Sequence, residues 1–319
     1  MFSYIVRRSL LNLLVLWVVA TMVFLSIRVL PGNYATQQFA SLNLGAVTPE
    51  AIERAERILG LDKSVPVQYV EFMGRIIRFD LGDSFRSKRP VWHEVGRALP
   101  YSLELGSLVI ILGFSIAIPV GIISAVRQDE MPDYALRSVA ILGLASPVFW
   151  TASIAVIVVL RWDMFRIDVT GQPHLWQDPV GAFKWFVIPM FAGGIASTAQ
   201  TMRLLRSQML EVLHEDYVRT ARAKGLKERT VILRHALRNA LLPVITVMGL
   251  TVATIVSSQI VLETMFNVPG IGRLLFQSIF LRDYPLFEGL VILTTFVIVF
   301  TNLAVDIFYA YLDPRVRLA

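Results

Sequence analysis

Glu215-Asp216-Tyr217-Val218-Arg219-Thr220-Ala221-Arg222-Ala223-Lys224-Gly225 is the centre of a forty-residue basic segment, Thr201 to Ala240, set between two long apolar runs. Nine Lys or Arg stand there against four Asp or Glu, a net charge of about +5. Lys and Arg concentrate on the cytoplasmic side of membrane proteins. A long segment of that sign therefore belongs inside, where a soluble partner can reach it.

The rest of the chain is built for lipid. Of 319 residues, 55% are hydrophobic and 17% charged, and the mean hydropathy is +0.61. That is too apolar for an ordinary soluble protein. A helix needs about 20 apolar residues to cross a bilayer, and six blocks qualify: 9–29, 103–126, 138–160, 185–202, 241–262 and 289–311. The fourth is diluted by Gly193, Gly194 and Ser197 to Gln200. Arg7 and Arg8 precede an apolar run from Leu10 to Ile27, too long for a signal core and followed by no small-residue cleavage site. It reads as a retained helix. The fold class expected is all-α, a polytopic membrane protein with six transmembrane helices.

Charge gives the orientation. With the N-terminus inside, cytoplasmic segments hold Arg7, Arg8, Arg127, Arg137, the nine cations of 201–240, Arg315 and Arg317. The short external loops hold Arg161, Arg166, Lys184, Arg273 and Arg282. The stretch 30–102 carries nine more, but loops longer than about 60 residues cross largely regardless of charge. Both termini are thus expected in the cytoplasm. Three parts follow: 1–30, the first span; 31–102, an external helical cap; and 103–319, a five-helix core carrying the cytoplasmic segment 201–240.

Within the cap, Thr48-Pro49-Glu50 reads as a helix start, Ile52, Ala55, Ile58 and Leu59 share a face, and Gly60 stops it. Val67, Val70, Met73 and Ile77 predict a second helix ending at the Asp80-Leu81-Gly82-Asp83 turn. These helices either cap the bundle or lie on the bilayer surface. Pro119, Pro147 and Pro189 should kink their spans, and Pro243 suits the first turn of the fifth. Gly143, Gly193, Gly194 and Gly249 read as helix-packing sites.

Catalytic and metal readings are poor. His93, His174, His214 and His235 show no ligand-like pairing and read as interfacial residues; cysteine is absent; no Gly-x-x-x-x-Gly-Lys-Ser/Thr run cradles a phosphate. No catalytic, metal or cofactor site is expected in this chain, and the +6 net charge tracks topology rather than nucleic acid. Polar residues in the spans are better leads, because ionisable groups in a membrane face a cavity or a partner. Gln259, Glu263 and Asp306 are the translocation-pathway candidates, with Asp306 and Gln259 the deep ones. Arg28, Glu104 and Glu263 read otherwise as anchors at the outer ends of spans. Without a visible repeat or several mid-depth carboxylates, a secondary carrier draws little support.

The basic segment has two physical readings. Helix formers dominate from Glu215 to Lys224, Gly225 can stop the helix, and Thr220, Ala221 and Ala223 keep one flank thin. A thin helix bracketed by charge suits a groove on a soluble partner. A solvated charged loop, or a basic face resting on anionic headgroups, suits it equally.

The segment Asp216 to Leu226, followed by His235-Ala236-Leu237-Arg238-Asn239-Ala240-Leu241-Leu242-Pro243, resembles the cytoplasmic signature loop of ABC importer permeases. More narrowly it is similar to the first permease subunit of dipeptide and oligopeptide importers, a group that includes nickel and glutathione permeases. Four further stretches share that likeness, in order. They are Leu59-Gly60-Leu61-Asp62 with Pro66-Val67-Gln68-Tyr69; Asp80 to Phe85; Ala145 to Trp150; and Glu263 to Phe266 through Pro269-Gly270-Ile271-Gly272-Arg273. One departure stands. Arg219 and Thr220 occupy the places of the general loop's Glu and first Ala, and the interval from Gly225 to Pro243 is longer than its pattern. The peptide group is similar to this chain in both respects, but the glutamate's role does not carry over to Arg219.

The resemblance implies a type I importer permease in the plasma (inner) membrane of a prokaryote. It implies a second homologous permease subunit as heterodimer partner, two cytoplasmic ABC ATPases and an external substrate-binding protein. ATP and Mg would sit on the ATPases, and none on this chain. Glu215, Asp216, Tyr217, Arg219, Thr220, Ala221, Arg222, Ala223, Lys224 and Gly225 would form the coupling helix that docks an ATPase. Di- or oligopeptides would be the cargo, with nickel, glutathione, oligosaccharides or opines as alternatives.

Overall fold

The computed structural model describes residues 2–29, 53, 57, 62–162 and 172–312, with side chains described for the same residues except 2–5, 27–29, 246–258 and 305–312. Among them the chain is helical, with one isolated bridge between Asp83 and Pro90. The Thr48–Gly60 helix and the Arg28, Arg166 and Asp306 side chains lie outside the described residues. By length and composition four helices can cross a membrane: Val6–Ser26, Val91–Val126, Pro179–Leu213 and Tyr284–Ala304. A fifth span counts if the bent pair Met131–Ala145 and Val148–Arg161 is taken as one.

Two compact units divide the chain, residues 1–98 with 274–300, and 99–273 with 301–319. In the first, α1 (Phe2–Val29) packs on α2 (Val65–Ile77) through Ala20 and Phe24 against Tyr69, Phe72 and Met73. The Phe24 ring meets Tyr69 edge-on at 5.2 Å, and the Thr21 and Tyr69 hydroxyls lie 2.8 Å apart. The helix over 65–77 is where periodicity put it, but its inward face is not. Phe72 is buried, while Val67, Val70 and Ile77 are exposed. The aromatic ring outweighs the β-branched stripe because it brings more apolar area to the contact.

In the second unit, α3 (Val91–Val126) contributes everything after Ala98. It is followed by α4 (Met131–Ala145), α5 (Val148–Trp162), α6 (Pro179–Leu213), α7 (Asp216–Ala223) and α8 (Leu237–Met265). The central helix is α6, packed on α4, α5 and α8. Small residues set the spacing: a side-chain carbon on Gly143 would come within 3.0 Å of Ile195, and one on Gly193 would meet Leu262. Both are therefore close-packing sites, as expected. The short helix α9 (Ile271–Phe280) and α10 (Tyr284–Leu312) complete the chain.

Three features differ from the sequence expectation. First, the run 138–160 is not one bent helix but two, α4 and α5, which meet at 105°. Proline drives the preceding residue out of the helical region, and Ser146 is extended at φ −87°, ψ 117°. Its hydroxyl and N–H both bond the Leu142 carbonyl, ending α4 before Pro147. Second, Pro243 is interior to its helix. The helical run begins at Glu228 after Lys227, passes through a π-helical turn at Val231–Ala236 and continues as α8. Third, 201–240 is barely a loop: only 214–215 and 224–227 fall outside helical structure.

The Phe24 contact yields a test. Phe24→Ala removes about 3 kcal/mol of packing and should release α2. Trypsin cleavage at Arg75 and Arg78 in membranes should accelerate at least several-fold while α4–α8 fragments stay protected.

Candidate functional site

The basic segment folds as a small helical platform. Leu213 ends α6 and His214-Glu215 turns the chain into α7, which buries Val218 and Ala221 against Val231, with Val212 and Leu213 beside them. Gly225, at φ +77°, turns the chain back in a conformation that other residues adopt only with strain. Arg222 then clamps the return. Its guanidinium forks onto the Glu228 carboxylate, Nη2 to Oε1 at 2.8 Å, and Nη1 reaches the Leu213 carbonyl. The Asn239 amide donates to the Tyr217 hydroxyl at 2.7 Å. The fork holds the Glu228 carboxyl below its usual range and raises Arg222 further.

The proposed docking flank is thereby divided. Ala221 turns into the platform's own core, whereas Asp216, Arg219, Thr220, Ala223 and Lys224 stay exposed. Arg219 leans only loosely on Asp216, at 3.6 Å. What is presented outward is a short helix with small and charged residues, seated on Val231, Val212 and Leu213.

The polar residues of the second unit are buried rather than anchored at an interface. Glu263 is 0% exposed; Ser102 Oγ donates to one carboxylate oxygen at 2.6 Å and the Arg273 N–H to the other at 3.1 Å. The Ile271 N–H in turn donates to Ser102 Oγ at 2.8 Å. Glu263 thus caps the first turn of α9, where free N–H groups and the helix dipole favour an anion. Gly270 and Gly272 make the approach fit: a side-chain carbon on Gly270 would strike that carboxylate, and one on Gly272 would come within 2.6 Å of Ile260 Cα. Gln259 is buried with its amide against Gly106.

Glu104 is buried too. It meets His174 Nδ1 at 2.9 Å, and the His174 ring stacks between Tyr101 and Trp176 at 4.2 Å from each. The outer-anchor reading fails for Glu104 and Glu263 because both carboxylates are taken up by partners on other segments.

Three buried acids escaped the sequence reading, Asp133, Asp283 and Glu288, and the first two stand at helix starts. Asp133, 0% exposed at the start of α4, accepts both Arg206 Nε at 2.7 Å and Nη2 at 2.6 Å, with Ser124 Oγ and the Asp129 N–H also donating. Asp283, in the first unit, caps α10 and accepts from Ser84 Oγ and the Phe85 and Arg86 N–H groups. Asp133 follows Pro132 and Asp283 stands two residues before Pro285, each at a helix start. That is a capping signal, and it carries no information about the distant partner.

Comparison with known proteins agrees with this architecture. Residues 117–318 match the family described as binding-protein-dependent transport system inner membrane component, and residues 1–106 match its N-terminal region. The chain belongs to this family.

Among relatives of the permease, the glutathione transport system permease protein GsiC of Pectobacterium atrosepticum is 38% identical, covering 99% of both chains. The dipeptide transport system permease protein DppB of Escherichia coli (strain K12) is 37% identical over 85% of this chain and 86% of its own. A putative peptide transport system permease protein of Brucella abortus (strain 2308) is 36% identical over 99% of each. A crystal structure of an amino acid ABC transporter with histidines shares the fold. It has a TM-score of 0.54 at 13% identity and covers 68% of this permease and 94% of that chain. The chain is accordingly a multi-pass transport component and not an enzyme; the stretch Glu263–Arg273 is the helix-capping device just described, and Asp80–Phe85 supplies donors to the Asp283 cap.

Two outcomes test the geometry. Glu263→Ala orphans the Ser102 hydroxyl and the Arg273 N–H and should cost about 3 kcal/mol, while Glu263→Gln keeps an acceptor and costs less; unfolding of the detergent-purified permease reads both. For Glu228, the folded pKa is depressed. Its contribution to the Arg222 clamp should be fully present above the ordinary value of 4.5 and disappear as pH falls below it. Amide exchange over 222–228 should therefore stay flat through neutral pH and rise only in acid.

Proposed function

We propose that this permease is one membrane-spanning half of an ATP-driven ABC importer for di- and oligopeptides. In this reading it crosses the inner membrane of a prokaryote six times, with both termini in the cytoplasm. Residues 1–30 anchor it, 31–102 cap it externally, and 103–319 form the core with the coupling segment 201–240. A second, homologous permease completes the pathway, two cytoplasmic ATPases bind ATP and Mg, and an external binding protein delivers cargo. The observation that carries the reading is the α7 platform: an exposed helix of eight residues seated directly on the end of α6, the central helix. A push on α7 moves α6, and α6 contacts three other helices. That is a lever with a two-state bundle to bias. A headgroup-facing strip needs no such seat.

Peptide cargo rests on the names of the relatives, two for peptides and one for glutathione, itself a tripeptide. Nickel or other cargo would use the same machine, and an ATPase-independent carrier would leave α7 without purpose. Gln259 and Asp306 remain the pathway candidates. Glu263 serves the pathway indirectly, by fixing α9.

The two faces of α7 provide the test. Arg219→Glu with Ala223→Trp alters only exposed residues, which usually changes stability by no more than about 0.5 kcal/mol. It should abolish co-purification of the ATPases and peptide uptake while leaving the melting temperature unchanged. Ala221→Trp overfills the seat and should lower stability by about 2 kcal/mol. ATPases that stay bound to the double variant would sink the dock. Mass spectrometry of the purified binding protein should find short peptides.

A further inference from the structure

Asp133 and Arg206 sit within packing that is otherwise apolar. Around them α3, α4 and α6 already pack through Ala117, Ala140, Ala199 and Met202, and through Ala125, Leu205 and Met209. Burying an ion pair costs desolvation that apolar packing avoids. What the fork adds is direction. Two parallel N–H···O bonds from a planar guanidinium to one carboxylate fix the register of the two helices, which interdigitating alanines and methionines do not. The carboxylate also gathers Ser124 from the end of α3 and the Asp129 N–H from the turn between α3 and α4, while Arg137 Nη1 stands 3.9 Å away. Its acceptor sites are fully engaged, so it ties three segments at one point.

The position of that point matters more than its strength. Arg206 lies two turns before the end of α6, where Val212 and Leu213 form the seat of α7. Asp133 lies in the first turn of α4, and α4 runs 15 residues to the Ser146–Pro147 corner, where it meets α5 at 105°. That corner lacks one helical hydrogen bond by construction, since Pro147 has no N–H. One continuous series of rigid pieces therefore leads from the exposed helix to the sharpest bend in the unit.

We propose that the Asp133–Arg206 fork is the latch that transmits movement of α7 and α6 to α4 and the Ser146–Pro147 corner, making both residues positioning residues for coupled transport. This rests on the ATPase-driven reading above. Movement of α6 alone would slide along an apolar α4 surface; with the fork engaged, α4 follows in register. Loss of the fork uncouples the stroke without removing the dock.

The test uses the full complex, with its partner permease, ATPases and peptide-loaded binding protein, reconstituted in vesicles. Peptide uptake per ATP hydrolysed is measured beside basal hydrolysis and melting temperature. Asp133→Asn should leave ATPase binding and basal hydrolysis intact and lower uptake per ATP roughly tenfold, a usual size for a coupling interaction. Arg206→Lys, which keeps the charge and loses the fork, should give an intermediate ratio, and Asp133→Glu should recover part of it. An unchanged ratio in both Asp133→Asn and Arg206→Lys overturns the latch. So does a proportional loss of assembly, hydrolysis and uptake in both, the result of a purely structural pair. If the unsubstituted chain does not hold the ATPases at all, the functional reading itself fails and the latch falls with it.

Discussion

A helix that ends against apolar surroundings leaves its first N–H groups without water to bond. This constraint organises the molecule. Glu263 caps α9 from another helix, Asp283 caps α10 from its own N-cap position, and Asp133 closes the turn into α4. Each carboxylate does double duty, because each also accepts from a distant segment: Ser102, Ser84 or Arg206. The ends of helices are thereby the joints of the fold. The glycine at 270 follows from the same requirement, since a carboxylate can reach a helix start only where no side chain stands in the way, while Gly272 lets the start of α9 lie against the Ile260 backbone.

The same economy shapes the basic segment. The α7 platform uses one fork, Arg222 to Glu228, and a three-residue apolar core to hold an otherwise polar helix in place. Everything else on α7 is left outward. The clamp at the turn and the seat on α6 hold the helix there together.

Much of this was legible in the sequence, and the limits of legibility have physical causes. Apolar blocks disclosed the helices because lipid demands their length. Gly225 disclosed the turn because few other residues accept its backbone. The 216–243 segment, with four further stretches in order, disclosed the family before its geometry was visible. Periodicity over 65–77 found the helix but chose the wrong face, because Phe72 contributes more area than the stripe that carried the pattern. Pro243 looked like a helix start because nothing in a proline distinguishes a first turn from an interior kink. Asp133 and Arg206 were unreadable: 73 residues separate them, and no spacing rule links a first-turn acid on one helix to an arginine late on another.

The π-helical turn at Val231–Ala236 sets a condition of a different kind. A π-turn holds about one residue more than the α-turn it replaces, and each residue rotates a helix by about 100°. Ala236, Ala240 and Val244 meet Leu205 and Met209 because that surplus has already been counted in. Deleting one residue between Gly225 and Pro243 would leave every side chain chemically unchanged and turn the apolar stripe away from α6. In this interval, longer than in the general signature loop, the number of residues is itself information. A comparison of sequences that scores substitutions and forgives gaps would overlook it.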